Sequence, residues 1–308
     1  MFDSSPHNDE TAPLAHRTTG SQTAGFASSD GSASGMTCRA SVATELDGTG
    51  RTGAPRSRVS GLRRQAPLVP RPTGASGFEP YVDGDPDIAR VALTTAAAGP
   101  LGGDHYVFDV HVGAGSTLLI REVSATLVLP GAHGAPSLMH CRVTVEAGGT
   151  LIWVPEPVIA AQACDHTHQV DIDLAEDARL FYREELVLGR HGEDPGNLSS
   201  RLNVRRGGRP LSIQRFDLGP ASIGFDSPAV AGGALGVGSV VIVEPEGGLP
   251  QATAISDPRS ALLPIDETCV QINALGDDAL ALRKRLDASL AELGEPWGRQ
   301  TGWSAVPR

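Results

Sequence analysis

Cys164, His166 and His168 lie in the run CDHTH at i, i+2 and i+4, so all three share one face if the segment is extended. Thiolate and imidazole are ligands that nickel, copper and zinc accept, and at least two of these side chains can then converge on one ion. The competing reading is an edge strand that turns its polar residues to solvent. His140 and Cys141 are adjacent and point to opposite faces of a strand, so a shared metal is not expected there.

Carboxylates form a second set. Asp104 closes the run GPLGGD (Gly99–Asp104), whose glycines let the backbone turn tightly ahead of a strand. Glu156 sits in WVPEP between Pro155 and Pro157, which restrict the local backbone and so set the direction of its side chain. Glu184 and Glu185 point to opposite faces if their segment is a strand. Hard carboxylate oxygens hold a passing divalent ion weakly, which suits conveyance better than storage. The structural alternatives are that Asp104 only satisfies turn amides and that Glu156 only pairs with an arginine.

Signatures of catalysis are missing. The chain has no GxSxG elbow, no GxxxxGK[ST] loop and no HExxH pair. In GGALGVGSVVIV (Gly232–Val243) the glycines precede a strand instead of joining a strand to a helix, the wrong order for a pyrophosphate cradle.

The elements that must position these residues are mostly strands. Aromatic residues make up only 4 % of the 308 residues, while 37 are Gly, a balance that suits a β-rich fold with many turns. Four segments share a strand, tight turn, strand pattern about thirty residues apart: Val110–Ile120, Val143–Val154, Ile172–Tyr182 and Leu202–Ile213. Their alternating apolar residues turn one face inward, with Gly115, Gly148, Asp177 and Gly208 at the turns. Two architectures fit, hairpins of an antiparallel sandwich or stacked layers in which each unit covers its neighbour. Helical periodicity is confined to Asp277–Leu293, where Leu282, Leu286, Leu290 and Leu293 form one stripe. That stripe is expected to cap the end of the β-body. Residues 1–60 are rich in Ser, Thr, Gly, Ala and Asp without periodicity and read as a disordered extension, leaving 61–308 as one β-rich domain.

A net charge of −11 gives no electrostatic footprint for nucleic acid. No apolar run is long enough to span a membrane. Four cysteines without CxxC or framework spacing favour a reducing compartment, and a cytoplasmic location is expected.

GPLGGD, SATLVLPG (Ser124–Gly131), WVPEP and RRGGRPL (Arg205–Leu211), taken in this order and rough spacing, resemble the urease accessory protein family called UreD or UreH over roughly residues 60 to 245. The resemblance implies an all-β, elongated β-helix-like body with a C-terminal helix. It also implies a non-catalytic chaperone that binds the urease apoprotein together with an accessory scaffold protein, UreF, and an accessory GTPase, UreG. No permanently bound cofactor is expected, only transient Ni(II) in a water-filled passage, with Asp104, Glu156, Cys164 and His166 as the metal-path residues. The chain departs from many members in reading TTAAAGPLGGD where they carry an Asn-Pro-Gly-rich lead. Rival readings are a carbohydrate-active enzyme on a β-solenoid, which few aromatics disfavour, and a structural β-repeat protein.

Overall fold

The computed structural model describes residues 35–298 apart from 52, 54, 83, 250–254 and 256. Its strands are β1 (Thr37–Thr49), β2 (Pro55–Arg63), β3 (Leu68–Pro72), β4 (Ala89–Thr95), β5 (His105–Val112), β6 (Thr117–Glu122), β7 (Thr126–Val128), β8 (Ser137–Val145) and β9 (Thr150–Val154). They continue as β10 (Val158–Ala160), β11 (Asp165–Leu174), β12 (Arg179–Leu188), β13 (Asn197–Arg206), β14 (Arg209–Leu218), β15 (Gly236–Val243), β16 (Ser260–Asp266) and β17 (Cys269–Gly276), before helix α1 (Ala279–Leu293).

Two sheets face one another. One runs β14-β13-β11-β8-β5-β1-β2, the other β16-β17-β15-β12-β9-β6-β4-β3, with β10 and β7 continuing beside the distal end of β12. The first three repeat units cross between the sheets: β5 leads to β6, β8 to β9 and β11 to β12, and equivalent strands stack in parallel register. Parallel pairing requires a return path for every coil, which β7 and β10 supply. Stacked layers are therefore the architecture of these three units. The fourth differs, because β13 and β14 pair antiparallel in one sheet as a hairpin.

The arches between sheets need glycine at Gly115 and Gly148, both with φ near +65°, a region that L side chains rarely adopt. A Cβ on Gly115 would also stand 2.9 Å from the Leu46 side chain.

The expected disordered extension does not hold from residue 37 onward, where β1 and β2 belong to the first sheet, and the boundary placed at residue 61 moves with them. Residues 1–34 lie outside the described residues. Cys38, Ala40, Val42 and Thr44 alternate into the core, and β1 pairs with β5 from Thr37↔His105 to Thr44↔Val112. Composition misjudged this segment because small side chains suffice for a strand whose buried partners are supplied by the neighbouring coil.

Helix α1 starts at Ala279, where the Asp278 side chain accepts from Ala281 N–H, and Gly294 closes it. Leu282, Leu286, Leu290 and Leu293 are buried as the periodicity predicts. The helix covers the outer face of the second sheet, on Phe181, Val240, Ile242 and Ile272, and does not cap the stack as expected. Strand β15 is buried on both faces, with Val241 and Val243 turned to the other sheet and Val240 and Ile242 under the helix. The Gly-rich run before and within β15 serves this approach, since a Cβ at Gly238 would lie 2.9 Å from a Leu286 methyl.

Candidate functional site

Register divides the space between the sheets into a dry half and a polar half. Toward the arches the facing rows are apolar: Phe108, Cys141, Val170 and Leu202, then Val110, Val143, Ile172 and Val204. Phe108, Trp153 and Tyr182 close this half, with ring centroids 5.9 Å and 5.7 Å apart in edge-to-face contact. One row further the chemistry changes. Tyr106, Met139, His168 and Ser200 face inward from the first sheet, while Glu122 and Glu184 follow Ile120 and Tyr182 on the second.

A cavity of about 40 Å³, large enough for ordered water, is lined by Tyr106, Glu122, Cys141, Glu156, His168 and Glu184 among others. Ser200 Oγ donates to Glu184 Oε1 at 2.7 Å, while Glu184 Oε2, His166 Nε2 and Trp153 Nε1 are buried with no partner among the described residues. Such unpaired atoms are uncommon in a protein interior. Burial raises the Glu184 carboxyl to about 7, the Ser200 hydrogen bond opposing the shift. Burial raises Glu122 to about 8, a hydrogen bond from the Glu156 backbone opposing the shift and repulsion from the Glu156 carboxylate adding to it. Burial holds His168 down to about 4, and His166, also repelled by His168, to about 3. Near neutral pH the two imidazoles are uncharged, the form that coordinates metal, and the two carboxyls are poised to release protons when a cation approaches.

These shifts predict a pH dependence of stability. Between 4.5 and about 7 an unfolded chain has released the Glu184 proton while the folded chain keeps it, so stability declines as pH rises through that window. Glu184→Gln should match the wild type at pH 4 and exceed it by about 2–3 kcal/mol at pH 8. Denaturant titrations at both pH values check this, and equal stabilities at pH 8 would contradict the burial of an ionising carboxyl.

The sequence-derived residues are dispersed. Asp104 is buried with its carboxylate engaged by Met36 N–H (2.7 Å), Leu101 N–H (2.9 Å) and the Tyr106 hydroxyl (2.6 Å), the turn-fixing geometry. Glu156 pairs with Arg283 of α1 at 2.9 Å at the edge of the cavity. Cys164 is buried beside Val158, Ala160 and Leu186, with Sγ 3.8 Å from the Asn197 carbonyl and burial raising its thiol to about 11. His166 faces inward one step along the strand, Nδ1 against Ser137 Oγ at 2.8 Å. The solvent-facing edge strand is excluded, because β11 is central and the row of Cys164, His166 and His168 points into the body. Among the described residues no three His, Cys, Asp or Glu side chains are grouped to hold a metal. As expected, His140 and Cys141 diverge, His140 bonding Asp171 outside at 2.6 Å and Cys141 lying in the core. Glu184 and Glu185 diverge too, Glu185 joining Arg183 and Arg283 beneath the helix.

Glu122 escaped the sequence reading. The signal was parity: Leu118, Ile120 and Glu122 alternate in β6, so a strand burying the first two carries the third inward.

A family profile described as UreD urease accessory protein matches residues 40–306. The chain is 40% identical over 272 residues to the urease accessory protein UreD of Parafrankia sp. (strain EAN1pec), covering 81% of this chain and 86% of the relative. Its likeness to the Streptomyces avermitilis urease accessory protein UreD is 40% over 264 residues, covering 85% and 99%. The Streptomyces coelicolor protein of the same name is 39% identical over 263 residues, covering 85% and 98%. The match thus begins inside β1, earlier than the motifs suggested, and runs through α1. With these similarities spanning both sheets and the helix, the chain belongs to the UreD urease accessory protein family.

Proposed function

We propose that this protein is a non-catalytic assembly factor for urease, which binds the urease apoprotein and conveys Ni(II) as cargo during GTP-dependent insertion. Nucleotide chemistry belongs in this reading to a partner GTPase, UreG, and docking to a scaffold partner, UreF, all in the cytoplasm. Among the described residues no helix is long and apolar enough to cross a membrane.

The observation that supports conveyance is the polar half of the interior, where Glu122, Glu184 and His168 border one small cavity. Carboxylate and neutral imidazole both accept nickel, and isolated ligands bind it weakly enough to let it go. Glu122 and His168 are half-buried and line this water-sized space, as expected of groups lining a passage. Asp104 and Cys164 contribute on this view by holding the walls, and Glu156 by its place at the cavity edge.

Co-purification tests the reading. Tagged protein expressed with urease subunits and the two accessory partners should retain the apoprotein, and the complex should yield active, nickel-loaded urease on addition of nickel and GTP. Failure to retain any urease subunit would sink it.

A further inference from the structure

A second cavity, of about 220 Å³, lies on the outer face of the second sheet beside α1, away from the interior carboxylates. Its walls are Phe78, Pro80, Val154, Phe181, Leu290 and Trp297. The Trp297 ring is held in place by its Nε1–H, which donates to the Tyr81 hydroxyl at 2.7 Å. For scale, an apolar protein cavity of about 150 Å³ accommodates benzene.

Two guanidinium groups enter this apolar space, and they differ. Arg183 is neutralised by Glu185 at 2.8 Å and by Asp287 at 2.6 Å, the latter being the acidic residue that borders the cavity. Arg121 donates from Nη2 to the Phe78 carbonyl at 2.5 Å, and among the described residues its Nε is buried without a partner and no carboxylate pairs with it. A guanidinium that borders an apolar cavity without a paired carboxylate has an anion as its natural complement.

We propose that this cavity is a binding site for a carboxylate carried on an apolar, ring-sized body, with Arg121 receiving the carboxylate and the Phe78, Phe181 and Trp297 rings receiving the body. The site is independent of nickel conveyance. Two sources share this chemistry, a free aromatic acid and the terminal carboxylate of a peptide ending in an apolar residue.

Ligand-observed NMR titration of the full chain, without urease, tests the proposal. Phenylacetate should bind saturably and quench Trp297 fluorescence, and its neutral isostere phenylacetamide should bind at least about tenfold more weakly. Arg121→Gln should weaken phenylacetate about tenfold while leaving phenylacetamide unchanged, and Val154→Phe, which fills the cavity, should abolish both. N-acetylphenylalanine binding about tenfold tighter than phenylacetate would assign the site to a chain terminus, and the reverse order to a free acid. No saturable phenylacetate binding, or equal affinity for acid and amide, overturns the proposal. The acid-to-amide comparison uses wild-type protein and stands even if a variant fails to fold.

Discussion

Urease matured with the Glu122→Ala, Glu184→Ala double variant should be activated at least about tenfold more slowly than with wild type, while the apoprotein is still retained in pull-down. The two carboxyls face one cavity and are raised by burial to about 8 and about 7. On the proposed conveyance reading, a divalent ion entering that space would displace their protons and exchange hydration for carboxylate oxygens. Removing both leaves a small, mostly apolar cavity, and a barrier increase of only about 1.4 kcal/mol slows passage tenfold. Partner binding should survive because interface affinity resides in exposed anchors, and Glu184 is buried between the sheets. Initial rates in a reconstituted maturation assay, with nickel content of the purified urease, provide the readout. Wild-type activation by the double variant would remove the interior carboxyls from the conveyance path.

Asp104→Ala should act differently, lowering stability by about 3 kcal/mol or more. The substitution strands two backbone N–H groups and the buried Tyr106 hydroxyl, each of which now donates to the carboxylate. The Met36 contact ties the start of β1 to the turn before β5, so its loss also loosens the parallel pairing of those strands. Activation of urease by this variant should fall with the folded fraction and recover at low temperature or in osmolyte. Thermal unfolding followed in parallel with activation separates the two roles. A variant as stable as wild type yet defective in activation would instead support the metal-path role of Asp104.

Glu156→Ala is intermediate in kind. Its ion pair with Arg283 is about one-third exposed on both sides, and such pairs contribute little to stability.

What the sequence determined by itself was local and periodic. Alternation announced the strands, the leucine stripe announced α1 and its buried face, and the linked motifs announced the family. Strand parity was enough to set Glu184 and Glu185 on opposite faces and to turn Cys164, His166 and His168 together. Each of these follows from the period of a single element. Only the tertiary structure decided which face of each strand met which partner. That register placed Glu122 and Glu184 in one row and enclosed Asp104 among three donors at the turn before β5. Among the described residues it also left Arg121 without a paired carboxylate, the Asp287 brought by the helix pairing with Arg183. The status of β1 was likewise nonlocal. Nothing in Thr37–Thr49 carries enough apolar mass to fold alone, and the strand exists because β5 offers it a complete ladder and a core to face.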